Sequence, residues 1–134
     1  MLNKIARRLS GILCVLAFLL FATNEVHATM LTEKLFSDAT ATGAKASQSP
    51  PCKERAYHLT GSVSASTGAA GVTLETSNDN VNWVSAGTMA LTLGTTVTSD
   101  TLTSDVPWRY VRGNVTSISG TDATVTLWIS CERQ

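Results

Sequence analysis

Charge, aromatic side chains and histidine are all scarce in this chain. Of its 134 residues 15% are charged and 6% aromatic, and ten basic side chains balance ten acidic ones. A neutral balance excludes a basic groove built to neutralise many phosphates, and no acidic tail is present to grip a basic partner. No nucleic acid is therefore expected as a partner. The two histidines are His27 and His58, and neither lies in a cluster of Cys, Asp or Glu with metal-ligand spacing. Gly61, Gly68 and Gly71 fall between strand-like segments, so no Gly-rich loop leads into a helix to cradle a phosphate. Neither a metal nor another cofactor is expected.

Long apolar runs are missing too, with one exception near the start. Residues 12–22 (ILCVLAFLLFA) follow the positive Lys4, Arg7 and Arg8 and precede Val26-His27-Ala28, the small-residue pattern of a cleavage site. As a helix that run rises only about 16 Å, roughly half of a ~30 Å hydrocarbon core. Residues 1–28 are thus expected to be a signal peptide cut after Ala28, with a retained anchor as the alternative. Cys14 is a poor lipid-attachment site, because Ile12 and Leu13 stand where small residues are needed. Export to the periplasm, the cell surface or the medium follows, with no membrane attachment after cleavage.

Removing Lys4, Arg7, Arg8 and Glu25 leaves seven basic and nine acidic side chains, a net charge of −2. His58 becomes the one histidine, flanked by Tyr57 and Leu59 in a strand-like context with no triad spacing. Cys52 and Cys131 remain. An even pair in an exported domain of this size is expected to form one disulfide, the alternatives being free thiols or an intermolecular bridge. A bridged pair offers no thiolate nucleophile, and catalysis is not expected.

What the chain has in quantity is Thr, Ser and Val with turn signals every 8 to 12 residues. That is the pattern of an all-β sandwich or barrel. Strands are expected near 54–64, 70–77, 81–90, 95–102, 108–118 and 122–131, with a seventh near 34–40. Period-2 alternation places Val125, Leu127 and Ile129 on one side of the last strand and Thr124, Thr126 and Trp128 on the other. Val72 with Leu74, and Met89 with Leu91 and Leu93, alternate in the same way. Half-apolar strands of this kind suit antiparallel sheets with one packed face. Residues 29–51 are small and polar towards Pro50-Pro51, and read as a linker, an edge strand or an arm that orders on contact. Residues 53–134 then form the sandwich domain.

Two local constellations stand out. Ser77-Asn78-Asp79-Asn80-Val81-Asn82-Trp83 reads as an Asx-rich hairpin turn whose Trp83 returns into the core. Asn78, Asn80 and Asn82 mimic the first positions of a calcium loop. Trp83 and Met89, however, replace its Gly and its bidentate Glu, so calcium is not expected. The second is Trp108-Arg109-Tyr110-Val111-Arg112, whose alternation sets Trp108, Tyr110, Arg112 and Asn114 on one face. That stripe is a candidate ligand site, Trp108, Tyr110 and Arg112, for stacking on sugars or anchoring a protein. The plainer reading has the aromatics covering the end of the barrel while Arg112 pairs with Glu75 or Asp79. Asn114-Val115-Thr116 fits a glycosylation sequon but lies inside a strand-like segment.

These motifs carry a resemblance. Residues 72–83 (VTLETSNDNVNW), 109–112 (RYVR) and 128–131 (WISC) resemble strands of discoidin-like, galactose-binding-like β-sandwich domains. The same motifs occur in small virion and tail proteins of phages. The resemblance covers residues 70–131 and implies an antiparallel, jelly-roll-like sandwich of about seven strands closed by the Cys131 disulfide. Asn80 stands where the family has a turn Gly, and no binding residue carries over. The resulting expectation is an exported, non-enzymatic β-sandwich acting as a structural or adhesive surface module, pairing with itself through residues 29–51. A carbohydrate- or surface-binding module with a surface glycan as partner is the alternative.

Overall fold

The computed structural model describes residues 29–104 and 108–133, so the expected signal peptide lies outside the described residues. Eight strands form: β1 (Thr29–Ala39), β2 (Gly43–Ala44), β3 (Cys52–Ser62), β4 (Ala65–Ser77), β5 (Val84–Leu93), β6 (Thr98–Ser104), β7 (Tyr110–Thr121) and β8 (Thr124–Arg133). Two antiparallel four-stranded sheets result, ordered β1-β8-β3-β6 and β2-β7-β4-β5. Except at the β4–β5 hairpin, the chain changes sheet with each strand, and that crossing pattern makes the sandwich a jelly roll. One strand more than expected appears because β2, only two residues long, pairs with β7 at Gly43↔Val115 and Ala44↔Asn114.

Alternation dictates the interior. Val125, Leu127 and Ile129 from β8 meet Val72 and Leu74 from β4 and Met89, Leu91 and Leu93 from β5 between the sheets, all buried. Each such side chain contributes about 1.5–3 kcal/mol through apolar area removed from water. Residues 29–51 are part of this body. The first strand starts at Thr29, earlier than the spacing predicts, and pairs with β8 from Thr29↔Arg133 to Ala39↔Val125. Its Leu35 and Ala39 are buried in the shared core. Phe36 reaches the facing sheet because Gly113 of β7 leaves room, since a Cβ there would stand 2.5 Å from the Phe36 ring.

Cys52, opening β3, is disulfide-bonded to Cys131 near the end of the neighbouring β8, with Cα atoms 5.9 Å apart. Beside it Arg55 is buried, its Nε donating to the Cys52 carbonyl at 3.1 Å and its Nη2 to the Pro50 carbonyl at 3.3 Å. Burial pushes the Tyr57 phenol above its ordinary pKa, an effect the Arg55 cation opposes. The Tyr57 hydroxyl and Arg55 Nη1 are both buried without a hydrogen-bond partner among the described residues.

Candidate functional site

The outer face of the β2-β7-β4-β5 sheet carries the densest polar and aromatic chemistry. With Val72, Leu74 and Thr76 of β4 pointing inward, Thr73 and Glu75 point out, and Ser77 is buried beneath the turn that follows. Register sets Glu75 beside Arg112 and Thr73 beside Asn114 on β7. Arg112 Nε donates to Glu75 Oε2 at 2.7 Å, and Asn114 Nδ2 donates to Glu75 Oε1 at 2.9 Å. Both carboxylate oxygens are therefore engaged, and the half-buried pair is held by a charge-assisted bond.

Above this pair lies Trp83, whose ring centroid is 4.0 Å from the Arg112 guanidinium carbon. The sequence places Trp83 in the core. The structure corrects this: Trp83 is half-buried and packs on the outer face. The cause is a bulge. Leu74 pairs with Gly87 but Glu75 with Ser85, so Ala86 is an extra residue and the alternation inverts before it. Gly87 takes φ 155°, which disfavours a side chain, and a Cβ there would also press on the Leu102 methyls at 2.7 Å.

The turn that delivers Trp83 is ordered by its own side chains. Buried Ser77 Oγ accepts the Asp79 and Asn80 amides at 3.2 and 3.0 Å and donates to Asp79 Oδ1 at 2.9 Å. Asp79 in turn accepts the Val81 and Asn82 amides at 2.9 and 2.8 Å and the Asn82 side-chain amide at 2.6 Å. The Asn82 side chain, followed by those amides and Ser77, holds the Asp79 carboxyl well below the usual carboxylate range. Asn80 adopts φ 62°, a left-handed conformation that Asn tolerates.

Tyr110 and Arg112 share this outer face, as the alternation predicts, and the Arg109 guanidinium carbon lies 5.2 Å from the Tyr110 centroid. Trp108 stands before β7, half-buried, outside the strand ladder. Arg112, proposed as a ligand contact from the sequence, is committed to Glu75 and Trp83. Sequence reasoning left Glu75 as one of two acids for Arg112 and did not bring Trp83 to the stripe. Knowing the bulge parity would have done so.

A second aromatic site lies on the outer face of the other sheet, where Lys34 Nζ sits 4.8 Å from the Trp128 ring centroid. His58 is exposed there, with Trp128 of β8 on one side and Thr101 of β6 on the other. Among the described residues, no group of three His, Cys, Asp or Glu side chains is placed to hold a metal ion, and no helix is long and apolar enough to cross a membrane.

With this geometry in hand, comparison with known proteins gives two structural likenesses. The crystal structure of PBSX exported protein XepA superposes with a TM-score of 0.51 at 15% identity over 77% of this chain. The likeness is one of fold. The chain spans 37% of the XepA chain's length. A second solved structure, described as "CBM4 structure and function", gives a TM-score of 0.42 at 11% identity, covering 78% of this chain and 71% of that one. No protein-family model and no curated protein matches the chain.

Proposed function

We propose that the protein is an exported, non-enzymatic β-sandwich that acts as a structural or adhesive surface module. The observation that carries this reading is the internal commitment of the polar cluster on the β2-β7-β4-β5 face. Glu75 spends both oxygens on Arg112 and Asn114, and Arg112 is stacked under Trp83. Such an arrangement stiffens a surface and leaves Glu75 and Arg112 engaged with each other rather than poised for proton transfer. The Cys52–Cys131 disulfide is compatible with an oxidising, extracytoplasmic compartment.

The test is expression of the full chain followed by fractionation and intact mass measurement. Protein outside the cytoplasm, beginning at Thr29 and two hydrogens lighter than its reduced form, is the expected result. A cytoplasmic, uncut and reduced chain would overturn the proposal.

A second reading, a galactose-binding-like module for carbohydrates or other surfaces, is favoured by one observation. Tyr110 and Arg112 share an outer face with Trp83, an aromatic plane already held rigid. Glycan-array binding that Trp83→Ala or Tyr110→Ala abolishes would support it. A blank array counts against it.

A further inference from the structure

Arg55 of β3 is a buried cation, 5% exposed, and makes no ion pair among the described residues. Regular alternation would send Cys52 and Arg55, three residues apart, to opposite faces. Here Cys52 pairs with Arg133 and Arg55 with Cys131, so β3 carries an extra residue between them and both are buried. The Arg55 Nε and Nη2 then donate to the Cys52 and Pro50 carbonyls. Those acceptors are neutral and leave the positive charge uncompensated. Nη1 is buried without a partner among the described residues.

Two residues on, Tyr57 is 1% exposed, and its hydroxyl is also buried and unpartnered among the described residues. The two side chains are close enough for the Arg55 charge to act on the phenol. Burial outweighs that charge and keeps the phenol protonated, so its O–H remains a donor. The flanking carboxylates, Glu54 and Glu132, are exposed on the outer face of the same sheet and make no ion pair with Arg55. Two unused donors thus lie beside one buried, unbalanced positive charge. Orphaned polar atoms in a folded interior are few and call for a partner, and a buried charge calls for an opposite one. A water molecule satisfies the donors but leaves the charge.

We infer that Arg55 Nη1 and the Tyr57 hydroxyl bind a small monovalent anion of the size of chloride. One guanidinium balances one negative charge, and a doubly charged anion would itself be left uncompensated between the sheets. The bound anion completes a clamp on the corner where residues 29–51 join the bridged body. It fixes the guanidinium, whose other nitrogens hold the carbonyls of Pro50 and of disulfide-bonded Cys52. Such a ligand stabilises the folded state in proportion to its occupancy of the site. This inference is independent of the surface-module reading.

Thermal unfolding of the oxidised protein in sodium chloride, against sodium gluconate at equal ionic strength, tests it. The midpoint should rise with chloride and level off as the site fills, while gluconate, too large for a buried site, gives no such rise. Arg55→Gln should abolish the chloride dependence. Tyr57→Phe, which keeps the shape of the core, should need several-fold more chloride for the same rise, and it carries the test if Arg55→Gln does not fold. Crystals soaked in bromide should show an anomalous peak within hydrogen-bond reach of Arg55 Nη1 and the Tyr57 hydroxyl. A midpoint indifferent to the anion, as a water or a carboxylate of the chain at Arg55 would give, overturns the inference. So does a chloride dependence that Tyr57→Phe leaves intact, or bromide confined to the surface.

Discussion

The Asp100 carboxylate of β6 crosses between the sheets to accept the Ala90 amide of β5 at 3.1 Å, while its other oxygen takes the Thr101 amide at 2.8 Å. Strand β5 ends its sheet, so this amide would otherwise be open to an incoming strand. On the opposite side the Gln48 side chain does the same for the Lys34 carbonyl of edge strand β1. Each open side of the sandwich is thus closed by one side chain reaching from the facing sheet. Asp100→Ala should cost about 1–2 kcal/mol in urea unfolding. It should also add self-associated species in sedimentation velocity. An unchanged monomer would show that the clamp does not guard the edge.

The Glu75–Arg112 pair, with side-chain exposures of 16% and 24%, lies between a surface and a buried salt bridge. A double-mutant cycle with Glu75→Gln and Arg112→Met should return a coupling of about 1 kcal/mol. Arg112→Met should also shift Trp83 fluorescence, because the guanidinium leaves its ring face. Coupling near zero would mean that the pair orients the face without stabilising it.

Asp79 should contribute to the acid limb of stability. Its folded pKa is depressed, chiefly by the Asn82 side chain, so its contribution is complete above the unfolded value near 4 and is lost as pH falls below it. Asp79→Asn should therefore flatten the fall in thermal midpoint between about pH 4 and pH 2. At neutral pH it should lower the midpoint, through weaker caps on residues 81 and 82. Parallel pH profiles for wild type and variant would place acid lability elsewhere.

Tyr57 keeps a buried hydroxyl without a partner among the described residues. Replacing it with Phe removes a buried hydroxyl that bonds no described residue but lies in the field of Arg55, so Tyr57→Phe should stay within about 1 kcal/mol of wild type in denaturant unfolding. A clear loss would reveal a hydrogen bond to that oxygen.

Reducing Cys52–Cys131, 79 residues apart in sequence, releases a long loop in the unfolded chain. On the order of 4 kcal/mol should disappear. A thermal midpoint unmoved by reductant would contradict this.

Much of this architecture is legible in the chain because β-strands write their burial at period 2. Val125, Leu127 and Ile129, or Met89, Leu91 and Leu93, declare a packed side without any knowledge of partners. The disulfide is legible in the parity of the cysteines once residues 1–28 are read as a leader. Trp83 was misplaced because period counting assumes an uninterrupted ladder, and the extra residue at Ala86 reverses the count. Lys34 and Trp128 meet through a pairing 94 positions apart in sequence, which no local pattern encodes. Residues 38–51 look too small and polar to order alone, and the part of them in β2 and at Gln48 is held by β7, while β8 supplies the hydrogen bonds of β1 and the core takes Leu35.

Thr29 and Arg133 pair at one rim, so tension applied between these two residues would act on neighbouring positions. Tension applied there peels β1 from β8 bond by bond rather than shearing the two strands. It stops at the sulfur bridge, since force passing from Cys52 to Cys131 bypasses everything between them. Residues 29–51 and the two after Cys131 can pay out, about 80 Å of slack at full stretch, while both tryptophan-bearing faces between the cysteines keep most of their strands under no strain.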